Sequence, residues 1–599
     1  MRKRLLGTTI VLVLAIVAVA ETRADKPVST SGLIAYWPLA ENALDVVGEL
    51  HGEPTNVRFA SNAAFFNGRD SVIQVRDAEA LRLGKRDFSV GLWIKCETPM
   101  RSTMGDLINK FDPVTRRGLN LHLAGSSPGY SAMSDTRHVH FGIDDGHFDK
   151  WKDCGKPCAS NTLITCLIAF NGELYCGIAD ADHSDDKAHV FRYAGGREWV
   201  DCGRLGSNPD HYSVQSMIVH RGKLYAGTGM WDWEQASGGL PGKPAAAPTH
   251  VFGYEGGMTW RDLGQVGDGT RVLSLCSFNG ELFAGLDSAP TGRGGGRVYR
   301  YDGHKWIDCG APDGRNLECF LPLRDKLYAA THRNVFQYDG DGKWTSIGNG
   351  SPFGITQIHS MEAVQGKIVI GTWPQGYVLR YDGDGHWSKI GQLGLPNGQP
   401  PINEINDLTV YNGKLYAGAI PKAEVYRYDG DDNWTRVGNL AHRSDWDAEK
   451  LDTWLRVTCM ASFRGKLFAG TGSCQGRADV GEDSSLGCVY ATQAGQVVSY
   501  ERDIGGEWTH LSAIRCGPVL SLYVNGELAQ TSRSPDDAKF DITNQMPLWM
   551  GFGQQSHFHG WIREVRIYNR AIDGEEIARL FRDGDYVSAS SRLRTVHAN

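Results

Sequence analysis

Tyr411-Asn412-Gly413-Lys414-Leu415-Tyr416-Ala417-Gly418, Val425-Tyr426-Arg427-Tyr428-Asp429-Gly430 and Trp434-Thr435-Arg436-Val437-Gly438 follow one another closely, and the same three phrases recur throughout residues 151–490. The turn phrase returns as Phe170-Asn171-Gly172-Glu173-Leu174-Tyr175 and His220-Arg221-Gly222-Lys223-Leu224-Tyr225, then around Gly280, Asp325, Gly366 and Gly465. The second phrase returns as Val298-Tyr299-Arg300-Tyr301-Asp302-Gly303. The third, Trp-x-x-x-Gly, begins at Trp151, Trp199, Trp260, Trp306, Trp344, Trp387 and Trp434. A period of roughly 40–60 residues with about four short strands per unit is the mark of a β-propeller.

The order of the phrases predicts how the ring closes. Six units are complete. One Trp phrase stands first, at Trp151, with no unit before it, and the last unit, ending at Tyr490, lacks its own. An open end would leave unpaired backbone donors and acceptors. The expected ring therefore has seven blades, the last completed by Trp151-Lys152-Asp153-Cys154-Gly155. Asn-Gly and Asp-Gly signal tight hairpins, and the repeated Trp is expected to fill space between blades near the outer edge.

The chain has 599 residues, 74 of them glycine, and a net charge of −7. That is ample for two or more domains and gives no electrostatic case for nucleic acid. Residues 1–24 read as a secretory signal. Arg2, Lys3 and Arg4 precede an apolar run from Leu5 to Ala20, which ends in the small-x-small pattern Ala18-Val19-Ala20. The competing reading is an uncleaved anchor, but the run is short for a span. No later segment is apolar enough to cross a bilayer, so the mature chain is expected to be exported: secreted, periplasmic or at the cell surface.

Thirteen cysteines follow the signal, in a compartment where disulfides persist. Cys166, Cys319 and Cys459 share one repeat position, and Cys154, Cys202 and Cys309 another. Cys474 and Cys488 flank a polar loop and could staple it. Without a second matched pair, Cys154-Gly155-Lys156-Pro157-Cys158 is not a zinc motif.

The two flanks of the ring are alike. The first contains Gly32-Leu33-Ile34-Ala35-Tyr36-Trp37-Pro38-Leu39, Phe66-Asn67-Gly68 and Phe88-Ser89-Val90-Gly91-Leu92-Trp93-Ile94-Lys95. The second contains Trp508-Thr509-His510-Leu511, Leu522-Tyr523-Val524-Asn525-Gly526 and Glu564-Val565-Arg566-Ile567-Tyr568-Asn569-Arg570-Ala571. Neither half would bury a two-sheet sandwich alone, and together they would. In that order the phrases resemble a laminin-G-like, concanavalin A-like jelly-roll domain, and the ring resembles a kelch-like propeller. The resemblance implies an all-β chain. After the signal come a first jelly-roll half (30–148), an inserted seven-bladed propeller (149–498), a second jelly-roll half (499–585) and a tail (586–599). It also implies a calcium ion near the sandwich rim, for which Asp45 and Glu564 are the nearest counterparts. The usual acidic loop is degraded here, and Arg563 stands where Asp often does. His138/His140 and His557/His559 would each share a strand face, where two imidazoles could meet a metal; solvated histidines are the expected outcome.

Loops joining blades share one face with the loops between second and third strands. There the sequence offers Trp231, Asp232, Trp233, Asp287, His332, Trp373, Glu404 and Asp407. Trp with acids and amides suits sugar or peptide recognition, because ring faces stack while polar edges hydrogen-bond. No catalytic residue is nominated. Gly125-Ser126-Ser127-Pro128-Gly129 matches Gly-x-Ser-x-Gly, but Pro128 has no N–H for an oxyanion hole. The turns from Asp339 to Trp344, Asp382 to Trp387 and Asp429 to Trp434 lack the sialidase Asp-box spacing and read as hairpins. Gly292–Gly296 has no following helix to bind phosphate. The expected function is non-catalytic recognition of carbohydrate or an extracellular protein. The alternatives are a glycan-acting enzyme using the propeller face, or a structural surface or matrix component.

Overall fold

The computed structural model describes residues 30–582 except 103, 126–132, 181–187, 210, 230–248, 288–294, 350, 395–402, 442–453, 474–484 and 535–539. Residues 1–29, with the expected signal, and 583–599 lie outside the described residues. Among the described residues no helix is long and apolar enough to cross a membrane.

Strand pairing sorts residues 152–492 into seven antiparallel groups of four, numbered blades 1–7 in chain order. Blade 1 comprises Leu163–Phe170, Glu173–Ala179, His189–Gly195 and Glu198–Arg204. Blades 2–6 start at Ser213, Val272, Leu317, Gln357 and Ile405. Blade 7 takes its first three strands from Arg456–Phe463, Lys466–Gly472 and Val489–Thr492. Its fourth comes from the other end of the segment: Lys152 faces Ala491 and Asp153 faces Tyr490.

The Trp-x-x-x-Gly phrase joins blade to blade. Trp199 Nε1 donates to Cys154 O at 2.9 Å, Trp260 to Cys202 O at 2.8 Å, Trp344 to Cys309 O at 2.9 Å and Trp434 to Ile390 O at 2.8 Å, each acceptor lying on, or one residue past, the fourth strand of the preceding blade. The glycine leaves room for that indole: a methyl on Gly391 would run into Trp434 Nε1, and one on Gly438 into Trp151 Nε1. Nearer the axis, hydroxyls of the first strands reach the next blade's first strand, as in Thr165 to Val214 O (2.5 Å), Ser216 to Val272 O (2.7 Å) and Ser274 to Leu317 O (3.1 Å).

The flanks interleave into one sandwich. Phe88–Cys96 pairs with Thr509–Cys516 on one side and His559–Tyr568 on the other. In the second sheet Leu548–Met550 sits between Val72–Val75 and Asp106–Asp112. The core draws Trp37, Phe66, Phe88, Leu92 and Phe141 from the first flank and Leu511, Leu522, Ile562 and Val565 from the second, all fully buried. Ala494–Tyr500, assigned mostly to the ring from its sequence, instead pairs with His138–Phe148 in this sandwich. The chain crosses between the two bodies at Gln493, five residues earlier than the boundary read at 498.

The ring stands on the sandwich through the turn between first and second strands of every blade. Gly172 N donates to Glu501 O (2.9 Å), Arg221 N to Asp135 Oδ2 (2.9 Å), Asn279 N to Met100 O (2.8 Å) and Arg324 N to Ser102 Oγ (3.0 Å). Gly366 N donates to Gln555 O (3.0 Å), Asn412 Nδ2 to Ala494 O (2.7 Å) and Gly465 N to Ser499 Oγ (2.7 Å). Arg69 adds an ion pair to Asp325 at 2.6 Å. The turns project these amides because both central residues hold positive φ; even Arg324 and Asp325, with no glycine, sit at +54° and +62°.

The histidines depart from expectation. His138 and His140 are buried, not solvated, and His140 stacks on His122 with ring centroids 5.2 Å apart. Burial holds the His138 imidazole down to about 4 and that of His140 well below its usual range. His557 stacks on Phe552 at 4.3 Å. Among the described residues no group of three metal-ligating side chains converges.

Candidate functional site

Each first strand starts at the face that carries the blade-joining loops, and in all seven blades its pairing skips one residue near that start. The skipped residues are Thr165, Gln215, Leu273, Glu318, His359, Asn406 and Thr458. A bulge of this kind re-aims a side chain, and bulges are frequent beside binding sites. In blades 4, 5 and 6 they bring Glu318, His359 and Asn406 together, with Glu404 and Arg456 two positions earlier on blades 6 and 7.

The resulting chain of polar groups spans four blades. His332 Nε2, from the short loop after the second strand of blade 4, lies 2.8 Å from Glu318 Oε1 and 2.9 Å from Asn316 Nδ2. His359 stands between two acids, its Nδ1 3.9 Å from Glu318 Oε2 and its Nε2 3.6 Å from Glu404 Oε1. Arg456 Nη1 then reaches Glu404 Oε1 and Asn406 Oδ1, both at 3.1 Å. The side chains of Glu318 and Glu404 are almost fully buried, while that of His332 is 25% exposed. Burial opposes ionisation of Glu318. The hydrogen bond from His332 and the Coulombic influence of His332, His359 and Arg271 outweigh it and hold the carboxyl at about 2. Such a group is a fixed anion near neutral pH and a poor proton donor.

Of the residues nominated from sequence, His332 and Glu404 enter this network. Trp373 borders it: it pairs across the blade with Gln357, whose Oε1 lies 2.7 Å from His359 Nε2. Trp373 is half-buried and its Nε1–H has no acceptor among the described residues. Asp287 does something else. It takes hydrogen bonds from Thr270 N (2.8 Å), Arg271 N (3.2 Å) and Arg271 Nε (3.3 Å), fixing the entry to blade 3. Asp407 is buried between blades 6 and 7, where Oδ2 accepts from Met460 N at 2.5 Å. Burial raises its carboxyl well above the ordinary range, and nearby Glu362 adds to the rise. Glu362 binds Ala363 N at 2.8 Å and is raised by burial to about 7. Asp407 thereby ties blade 6 to blade 7. Trp231, Asp232 and Trp233 lie outside the described residues.

Sequence reading missed Glu318, His359 and Arg456. A signal was available for two of them: Glu318 and Arg456 are the single charged residues of their strands.

The calcium expectation does not fit the structure. Asp45 is buried, and its two carboxylate oxygens accept from Tyr36 N (2.9 Å), Val47 N (3.0 Å), Gly48 N (3.0 Å) and Leu50 N (3.2 Å). Four amides occupy the lone pairs a calcium ion would need. Glu564 is paired with Arg566 at 3.0 Å. No disulfide joins two described cysteines. Cys474 lies outside the described residues, and its expected partner Cys488 is buried, its thiol pushed by burial to about 11.

A model of the concanavalin A-like lectin/glucanases superfamily matches residues 451–578. The match begins five residues before blade 7, at residue 451, and runs on through sandwich strands of the second flank. No curated protein sequence matches the chain. Among solved structures, the WD40 β-propeller domain of Doa1 is similar at 8% identity and a TM-score of 0.36, over 58% of this chain and 97% of that one. Trypanosoma rangeli sialidase in complex with the inhibitor DANA is similar at 13% identity and a TM-score of 0.28, over 72% and 95%. Domain 4 of AbnA, a GH43 extracellular arabinanase from Geobacillus stearothermophilus in complex with arabinotriose, is 23% identical over 13% of this chain and 38% of that one, with a TM-score of 0.12. The chain is an all-β protein that joins a β-propeller to a concanavalin A-like sandwich.

Proposed function

We propose that this is an exported, non-catalytic recognition protein whose propeller mouth binds carbohydrate, with an extracellular protein partner as the other ligand of the same kind of surface. The observation that carries the reading is the pairing of acids at the mouth. Glu318 is matched to His332 and Glu404 to Arg456, so among the described residues the site offers oriented hydrogen-bonding groups beside Trp373, and Glu318 is a poor proton donor. A concanavalin A-like sandwich beneath the ring agrees with a role in binding.

A glycan array probed with the purified protein tests this. Specific glycan signals that fall in Trp373→Ala and in His332→Ala support it. Absence of any glycan signal removes the carbohydrate reading. Turnover of an array glycan by the protein would overturn the non-catalytic one. That second reading, a glycan-acting enzyme, draws on the approach of Glu318 and Glu404 to the two nitrogens of His359.

A further inference from the structure

Blade 7 is built unlike the others at its outer corner, because its third and fourth strands are not joined by a turn. They run on instead into the sandwich, through Gln493 and Asp149, whose backbones bond at 2.8 Å. Beside this crossing, between blades 7 and 1, is a cleft of about 420 Å3, within the size range of small-ligand sites.

The other blades show why the space exists. The residue facing Phe468 across the sheet is Ala491, whereas its counterparts in blades 1, 3, 5 and 6 are Arg192, Arg300, Arg380 and Arg427. Those arginines meet carboxylates: Arg192–Glu173 at 3.2 Å, Arg300–Glu281 at 2.6 Å, Arg380–Asp382 at 2.9 Å and Arg427–Asp429 at 2.6 Å. The lysines equivalent to Lys466 in blades 5 and 6 pair with the same acids, Lys367–Asp382 at 3.5 Å and Lys414–Asp429 at 3.2 Å. In blade 7 that acid is replaced by Gln493. Lys466 is thus left facing an opening where an arginine and a carboxylate would otherwise sit.

Two more ammonium groups line the same opening, Lys150 and Lys152. Among the described residues none of the three lysines has a carboxylate within 4.0 Å. The acids of the cleft are already engaged, Asp149 by His147 at 2.9 Å and Asp153 by Arg197 and by Gly155 N. Three lysines without a carboxylate partner on one cleft, in a chain of net charge −7, call for an anion. Gln493 adds an amide for sugar hydroxyls, and half-buried Tyr193 adds apolar surface for a ring face.

We propose that the seam cleft is an anionic-saccharide site, holding carboxylate or sulfate groups on Lys150, Lys152 and Lys466. It is separate from the propeller mouth and does not depend on the role proposed for it. The test titrates the full protein with heparin (sulfated), polygalacturonate (carboxylated) and neutral dextran. Saturable binding of either anionic polymer but not dextran, weakened about tenfold or more by Lys152→Glu with Lys466→Glu and unchanged by Lys343→Glu on blade 4, is the expected result. The polymer that binds identifies the acid group. Both lysines are exposed, and Gln493→Asp, which restores the acid of blades 5 and 6, gives a second variant expected to weaken binding. The proposal is overturned if neither anionic polymer binds, if dextran binds equally, or if Lys343→Glu loses as much as the seam variants. Trp373→Ala leaves this binding unchanged, which separates the outcome from that of the mouth.

Discussion

The indole Nε1 of Trp151 donates to the carbonyl oxygen of Val437 at 3.0 Å, across 286 positions of chain. It is the same bond that Trp199, Trp260, Trp344 and Trp434 make to their preceding blades. The ring is therefore closed by the contact that builds it elsewhere, although one partner arrives before the repeats begin.

Trp151→Ala should destabilise the protein by about 3 kcal/mol through lost packing and the lost bond. Trp306 offers the comparison, because its Nε1–H has no acceptor among the described residues. Trp306→Ala should cost about 1 kcal/mol less. Denaturant unfolding of both variants measures the difference, and equal losses would deny the bond a role.

Gly438→Ala should destabilise by about 1–3 kcal/mol, since the added methyl meets the Trp151 indole and the packed seam has little room to yield. The double variant Gly438→Ala with Trp151→Ala should lose less than the sum of the two, because the clash disappears with the ring.

Glu362 predicts a pH dependence. Its carboxyl rises on folding from 4.5 to about 7, so the folded state binds the proton more tightly than the unfolded. The stability this supplies is complete below pH 4.5 and is lost as pH rises through 7. Glu362→Gln should therefore flatten part of the fall in melting temperature over that interval, with Asp407, shifted the same way, retaining the rest. Glu318 works in the opposite sense: held at about 2, it contributes stability above pH 4.5 that is lost as pH falls toward 2. A melting profile of Glu362→Gln parallel to that of the parent would exclude the first effect.

Asp45→Ala should cost roughly 3 kcal/mol or more, because four loop amides lose their acceptor. Calcium or a chelator should leave the melting temperature of the parent protein unchanged. A calcium-dependent rise would show that the carboxylate exchanges its amides for the ion.

The parts of this fold legible in the sequence are those with local signals. Asn-Gly turns, alternating Leu-Tyr and Val-Tyr strands and the Trp phrase each carry their geometry in adjacent residues. The bulges that aim Glu318 and His359 left no such mark, since a bulge is a mismatch between two strands and not a property of either. The purpose of the glycine in Trp-x-x-x-Gly was equally hidden, because its neighbour is an indole from the next blade. Asn412-Gly413 illustrates the limit best. It reads as a turn, and it is one, but nothing in the dipeptide announces that Asn412 bonds to Ile143 and Ala494 of another body.

Seven feet planted on one pedestal leave no blade free to shift without its neighbours. The same footing couples the two bodies mechanically: heat or denaturant that loosens the pedestal removes a hydrogen-bond acceptor from every blade at once, and the two should melt in a single step.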